Sequence, residues 1–426
     1  MARRYFGTDG VRGIYGRDLT EDLVERLGRA FAAWSGGEPV LVGRDTRASG
    51  PALELALARG LAAAGGEVLL GGVLPTPAVA LLADRSGAVV SASHNPAEYN
   101  GVKFFRAGWK LEDAEEEAIE ALMDGAAEAD LAAVEASGLA EHYTALVCER
   151  FGVPLHGLNV VLDCANGAMF EVAPAAFQGL GAHVVTIGNT PDGMNINQGC
   201  GATDLSLLSR VVREQEGADL GVAFDGDGDR MLAVDAEGNE VDGDQIVAAL
   251  ALHLGVDTVA VTSMTNLGFH RLMAERGIRV LTTDVGDRYV LEALRRERAL
   301  LGGEQSGHVI YLDGHTTGDG LAAALLLCRA VVEQGRSLAE LALVPKFPQA
   351  KRNVPVRRKE LPASLLTEIE RISAALGDRG RVLVRPSGTE PVVRILAEAE
   401  TPQMVENLCG RIEALVEREL GHRPSS

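Results

Sequence analysis

Ala88-Val89-Val90-Ser91-Ala92-Ser93-His94-Asn95-Pro96 is an apolar strand that breaks into a polar turn closed by proline. A turn of this kind lifts a serine hydroxyl, that of Ser93, off the carboxyl end of a strand. Open α/β sheets bind their ligands at those ends. A second stretch belongs with it: Asp225-Gly226-Asp227-Gly228-Asp229-Arg230, delivered by the apolar run Leu220-Gly221-Val222-Ala223-Phe224. Alternate side chains of an extended segment point the same way, so Asp225, Asp227 and Asp229 are expected on one face. Three anions there repel unless a hard divalent cation sits between them. Oxygen-only ligands favour Mg2+ or a relative over zinc. An EF-hand loop does not fit, because Arg230 stands where the sharp-turn glycine is needed and Ala236 at the twelfth position.

Working outward, strand and helix patterns alternate along most of the chain. Strands are expected at residues 39–43, 68–70 and 88–92, helices at 51–64 and 77–84, the latter opened by Pro77. An acidic helix over 111–123 reads as a solvated face. A second alternation starts at the strand 158–163 and ends in a hairpin around Glu237-Gly238-Asn239. A third runs from the helix at 244–254 to the helix that Gly318-Asp319-Gly320 opens, ending near Gln334. Beyond Pro345-Lys346-Phe347-Pro348 the pattern becomes a small α+β unit. The fold class is therefore α/β: three related α/β domains with mixed sheets plus a C-terminal α+β domain, arranged around a central cleft. The expected bounds are 1–150, carrying the serine turn; 151–243, with the metal loop; 244–348, with a polar loop; and 349–426, with a phosphate loop.

Composition agrees with several domains. The chain has 426 residues, too many for one core. Hydrophobic residues make up 46% and charged residues 23%, as in a globular protein. No apolar leader opens it, and the apolar run 321–328 is far short of the ~20 residues a membrane span needs, so a cytoplasmic enzyme without a membrane partner is expected. Five scattered cysteines lack CxxC or zinc spacing and read as reduced thiols. The net charge of −20 disfavours nucleic acid as a partner. It also means that an anionic substrate needs a local cluster of arginines.

Such clusters exist. Phe6-Gly7-Thr8-Asp9-Gly10-Val11-Arg12-Gly13 sets one arginine in a glycine-rich loop that can meet an anion. Arg385-Pro386-Ser387-Gly388-Thr389 combines a guanidinium, two hydroxyls and a closely approachable backbone, which suits a phosphate monoester. Glu304-Gln305-Ser306-Gly307-His308 offers the mixed donors and acceptors that a sugar requires.

In order and spacing, the motifs 91–96, 225–230, 303–308 and 385–391 resemble the four signatures of the α-D-phosphohexomutases, and the likeness spans essentially the whole chain. The stretches 191–197, 200–204, 285–290 and 316–320 resemble the members that act on glucosamine phosphates. At 264–266, Met-Thr-Asn has threonine where the pattern has serine.

The resemblance implies an isomerase that interconverts glucosamine 6-phosphate and glucosamine 1-phosphate, a step toward amino-sugar nucleotides and cell-wall precursors. Ser93 would be a phosphoserine and, through its phosphate, a ligand of Mg2+ beside Asp225, Asp227 and Asp229. Glucosamine 1,6-bisphosphate, or glucose 1,6-bisphosphate, would serve as intermediate or activator. Arg385, Ser387, Gly388, Thr389 and Arg394 would hold substrate phosphate. Glu304 and Ser306 would hold ring hydroxyls, with Arg230 also on the substrate. Lys103 and His308 are the matched proton carriers, unranked, and Arg12 a charge stabiliser. A homodimer is implied as well. Two other readings stand beside this one: a phosphoglucomutase or phosphomannomutase of the same superfamily, and an inactive sugar-phosphate sensor.

Overall fold

The computed structural model describes residues 4–7, 9–124, 133–387 and 391–421. They divide into two compact units, one of residues 1–263 with 281–343 and one of residues 264–280 with 344–426. No helix among the described residues is long and apolar enough to cross a membrane.

The first unit begins with a mixed sheet. Its central strands Val40–Arg44, Val68–Val73 and Ser86–Val90 are parallel, as expected of βαβ units. Tyr99–Arg106 then returns antiparallel beside Ser86–Val90, pairing Val90 with Val102 and Val89 with Lys103. Val11–Ile14 pairs antiparallel with Tyr99–Arg106 in turn. The serine turn is thus the loop of a hairpin, and the returning strand carries Lys103 back past it. Val40, Val42, Val90 and Val102 are fully buried beneath the helices Glu21–Ser35 and Gly50–Ala63. Phe31 stacks on Phe104 with ring centroids 4.2 Å apart, a geometry that adds about 0.5–1.5 kcal/mol to area burial.

The sequence reading passes over Glu21–Ser35, although Thr20 caps it and acidic residues fill its first turn. It also passes over Leu139–Phe151 and the strand Tyr99–Arg106. Elsewhere the bounds differ by a few residues. The helix expected at 111–123 is Asp113–Glu120, and that expected at 77–84 is Thr76–Leu82.

Two further sheets complete this architecture. One has the order Glu240–Val241, Met231–Asp235, Leu220–Phe224, Asn159–Asp163, His183–Ile187. In it Phe224 pairs antiparallel with Met231, so residues 225–230 form the turn between two core strands. The other holds Thr258–Thr262 parallel to Leu301–Gly303, which pairs antiparallel with Val309–Tyr311. In the second unit, Gln349–Pro355, Val392–Ala399 and Gly380–Pro386 form an antiparallel sheet. The helices Ala363–Leu376 and Pro402–Leu420 bury Ile369, Ile372, Ile412 and Val416 against its Val382, Val393 and Ile395. This is the expected class, three α/β domains and a C-terminal α+β domain.

Candidate active site

Ser93 is buried, and its φ of +53° lies in the left-handed region that a non-glycine residue rarely adopts. Such a conformation costs of order 1–3 kcal/mol and persists only where the surroundings over-determine it. Its N–H donates to Ser91 Oγ at 2.9 Å, and its hydroxyl donates to Asp225 Oδ2 at 2.6 Å. The adjoining His94 presents Nδ1 at 3.4 Å from the same hydroxyl. Burial, then the charges of Arg230 and Arg12, push that imidazole down to about 4, so it is neutral at pH 7.

Asp225, Asp227 and Asp229 do converge, but not by the alternation of an extended strand. Residues 226–229 are turn and bend, and Gly228 has a φ of +74°. The turn curls the three carboxylates inward. Asp225 Oδ1 accepts the N–H groups of Gly228 at 3.1 Å and Arg230 at 3.2 Å, which closes it. Ligand oxygens of all three lie within 4.8 Å of one another, and all three residues are buried. Asp227 Oδ2 accepts Thr76 Oγ1 at 2.6 Å and Lys103 Nζ at 2.8 Å. Asp229 Oδ2 accepts Lys103 Nζ at 3.1 Å. Asp227 Oδ1 and Asp229 Oδ1 are buried without a hydrogen-bond partner. Burial and the neighbouring Asp229 and Asp227 push Asp225 up to about 8. Two orphaned carboxylate oxygens, on three buried and converging acids, fit a hard divalent cation.

Lys103 Nζ also meets Asp9 Oδ2 at 2.9 Å, and its ammonium is held well above the usual lysine range by Asp227, Asp229 and Asp9 against the opposing effect of burial. Asp9 is shared further, with Arg12 and, at 2.9 Å, with Lys110. Lys110 in turn pairs with Asp287. His308 Nε2 lies 3.3 Å from Asp287 Oδ2, and its Nδ1 lies 3.6 Å from Asp229 Oδ1. Burial disfavours the charged ring, but Asp287 and Asp229 outweigh it and raise the imidazole above its ordinary value. Gly318 is required here, because a Cβ at that position would sit 2.2 Å from His308 Nε2.

The structure therefore brings together Ser93, Lys103, Arg12, the three aspartates, Arg230 and His308. Glu304 is buried and accepts the Gly286 N–H at 3.1 Å, and burial raises its carboxyl. Ser306 is exposed in the same loop. In the second unit, Arg385 pairs across the sheet with Arg394, and the buried Ser387 follows that strand. Gly388 and Thr389 lie outside the described residues. Sequence reasoning assigned no role to Asp9, Asp287, Lys110 or Thr76. The first two stand inside the quoted motifs and were findable there. Lys110 and Thr76 carry no local signal.

The fold and this constellation define a sugar-phosphate mutase architecture, and comparison with known proteins agrees. Phosphoglucomutase/phosphomannomutase family profiles match in chain order: α/β/α domain I over residues 3–130, domain II over 138–238, domain III over 242–347 and the C-terminal domain over 330–415. The chain belongs to this family. Two curated relatives are the phosphoglucosamine mutases of Pelotomaculum thermopropionicum and Carboxydothermus hydrogenoformans. Each is 48% identical; the alignments cover 96% and 97% of this chain and 98% and 99% of the relatives. Among solved structures, a phosphoglucomutase/phosphomannomutase family protein from Burkholderia thailandensis is similar with a TM-score of 0.84 at 26% identity, covering 97% of both chains.

Proposed function

We propose that this enzyme interconverts glucosamine 6-phosphate and glucosamine 1-phosphate, with Ser93 as the phosphoryl carrier. The observation that carries the reading is a buried serine hydroxyl 2.6 Å from a carboxylate of the Asp225, Asp227 and Asp229 cluster. Its setting in a phosphohexomutase and the phosphoglucosamine mutase relatives at 48% identity support the choice of sugar.

In the resting enzyme Ser93 carries a phosphoryl group. O1 of glucosamine 6-phosphate attacks that phosphorus in line, the bond from phosphorus to Ser93 Oγ breaks, and a 1,6-bisphosphate forms. The proton leaving O1 is taken up within the site and one is later supplied to O6; Lys103 and His308 are the proposed carriers, Lys103 as an ammonium able to donate, and either able to accept only in its deprotonated form. After the bisphosphate turns over, Ser93 Oγ gives up its proton and attacks the 6-phosphorus, the bond from phosphorus to O6 breaks, O6 takes up a proton from within the site, the phosphoserine is restored, and glucosamine 1-phosphate leaves. Atoms balance over the cycle, and no external phosphate is consumed. Mg2+, held by Asp225, Asp227, Asp229 and a phosphate oxygen on Ser93, would supply positive charge against the moving phosphoryl. Arg12 and Arg230 each hold a buried Nε without a hydrogen-bond partner, a donor suited to an anion. Glu304 and Ser306 are assigned to ring hydroxyls. Arg385, Ser387, Gly388, Thr389 and Arg394 are assigned to the second phosphate through their match to the family motif. The reaction needs neither nucleic acid nor a membrane, and a cytoplasmic homodimer is its proposed form.

The test compares wild-type rates on the 6-phosphates of glucosamine, glucose and mannose, with bisphosphate and Mg2+ supplied. Preference for glucosamine is expected; faster turnover of glucose or mannose would overturn the choice of sugar. Ser93→Ala retaining full activity would overturn the carrier.

A further inference from the structure

Arg47 is the largest of the fully buried side chains, and it touches no group that reacts. Its guanidinium has five N–H bonds, and five acceptors meet it. Nε donates to Asp45 Oδ2 at 2.9 Å. Nη2 donates to the carbonyls of Ser93 at 2.9 Å and Asn95 at 2.7 Å. Nη1 donates to the carbonyls of Tyr99 at 2.8 Å and Pro96. Three of the five acceptors are backbone carbonyls of the turn that carries the phosphoryl-accepting serine, and a fourth is that of Tyr99, which opens the strand after it. Asp45 continues the grip: its Oδ2 accepts Ser91 Oγ at 2.6 Å, and Ser91 Oγ accepts the Ser93 N–H at 2.9 Å. Hydrogen bonds therefore close a ring around the Ser93 residue, from its N–H through Ser91, Asp45 and Arg47 to its own carbonyl. Asn197 Nδ2 donates to the same two carbonyls, of Ser93 at 2.9 Å and Asn95 at 3.2 Å.

This ring explains how a left-handed serine survives. The carbonyls of 93, 95, 96 and 99 turn inward, where an unmet acceptor costs about 1–3 kcal/mol. Asn197 meets two of them and the Tyr99 N–H meets the Pro96 carbonyl at 3.1 Å, but the Arg47 guanidinium reaches all four at once; a lysine, with three donors, cannot. We propose that Arg47, together with Asp45, is the positioning residue that aims Ser93 for phosphoryl transfer. This rests on the functional reading above.

The experiment uses the full-length enzyme carrying Arg47→Lys, assayed per folded molecule well below its melting temperature. KM for whichever hexose phosphate the wild type uses should stay within about threefold, while kcat falls by about 10^2, the cost of displacing reacting atoms by about 1 Å. The single-turnover rate from the Ser93-phosphorylated enzyme should fall in parallel. Amide hydrogen exchange across residues 91–100 should quicken, while the helix Glu21–Ser35 keeps its protection. In a cycle with Asn197→Ala the two losses should be non-additive, since both residues hold the same carbonyls. If Arg47→Lys does not fold, Ser91→Ala opens the ring at a smaller group and is judged by the same criteria. The proposal is overturned if kcat stays within about twofold of wild type, if KM carries the effect, or if kcat falls while loop exchange is unchanged. Should the wild type turn over no hexose phosphate, the functional reading fails instead. The exchange measurement then decides alone whether Arg47 holds the turn.

Discussion

The serine turn and the aspartate turn both leave the carboxyl end of a buried strand, yet their carbonyls are held by different kinds of donor. In the aspartate turn Asp225 accepts the N–H groups of Gly228 and Arg230, and the carbonyls of Gly226, Asp227 and Gly228 accept the backbone N–H groups of Ala168, Thr76 and Gly320 at 2.9–3.0 Å. In the serine turn the carbonyls of Ser93 and Asn95 accept from side chains, those of Arg47 and Asn197, on distant parts of the chain. A backbone donor stays when its side chain is changed. A loop held by side chains can be disabled by substitutions at residues that never meet substrate. The two turns then meet backbone to backbone, since a Cβ on Gly226 would stand 2.5 Å from the Ser93 carbonyl oxygen.

The sharpest break of the comparison is Ser93→Ala. With the oxygen of the proposed carrier gone, kcat should fall by about four orders of magnitude or more, as for other enzymes that lose a covalent nucleophile, read by a coupled assay for the 1-phosphate. Asp227→Asn comes next. It weakens one wall of the proposed cation site, and kcat at fixed Mg2+ should fall by about 10^2–10^3, the scale of losing one electrostatic stabiliser. Direct Mn2+ titration should show weaker binding as well. Thr76→Val removes the hydroxyl that orients Asp227 at 2.6 Å. Such outer partners are worth roughly 10–100-fold in metal affinity, so the Mg2+ activation curve should shift to higher concentration with kcat at saturation nearly intact. A drop in kcat that saturating Mg2+ does not restore would count against that role. The smallest effect is expected one step removed from the turns, at Asp319, which precedes the Gly320 whose N–H donates to the Gly228 carbonyl at 3.0 Å. Tyr143 donates to both oxygens of Asp319 at 2.9 Å, and Tyr143→Phe should lower stability by about 1–3 kcal/mol without changing kcat. Thermal unfolding alongside the activity assay measures both.

The two turns also differ in how far they could be read from sequence. The aspartate turn is local: glycines alternate with acids between two apolar runs, so its chemistry and place were legible, though its backbone is a tight turn rather than an extended segment. In the serine turn, Ser93 and Pro96 were legible for the same reason. Its anchor was not, because nothing near Arg47 marks it as buried, and an arginine in a loop after a strand reads equally well as a surface group. Lys103 was found only through resemblance. Its surroundings depend on the pairing of Val89 with Lys103 and on Asp9 and Asp227, far off in sequence.

By itself the sequence determined most of the alternation of strands and helices, though not Glu21–Ser35, Leu139–Phe151 or Tyr99–Arg106, together with the loops at strand ends, a cluster of acids suited to a cation, and the family. These depend on hydrophobic period, on glycine and proline, and on short motifs, all of which act within a few residues. Only the tertiary structure decided which charges face one another and what they cost. Lys103 is a buried cation because three carboxylates surround it. Asp225 is pushed up to about 8 because it is buried and because Asp229 and Asp227 stand beside it. Ser93 takes up a left-handed backbone because a guanidinium 46 positions away satisfies the carbonyl that the conformation turns inward. Each of these follows from burial, which strengthens electrostatic interactions and makes every unmet polar group expensive.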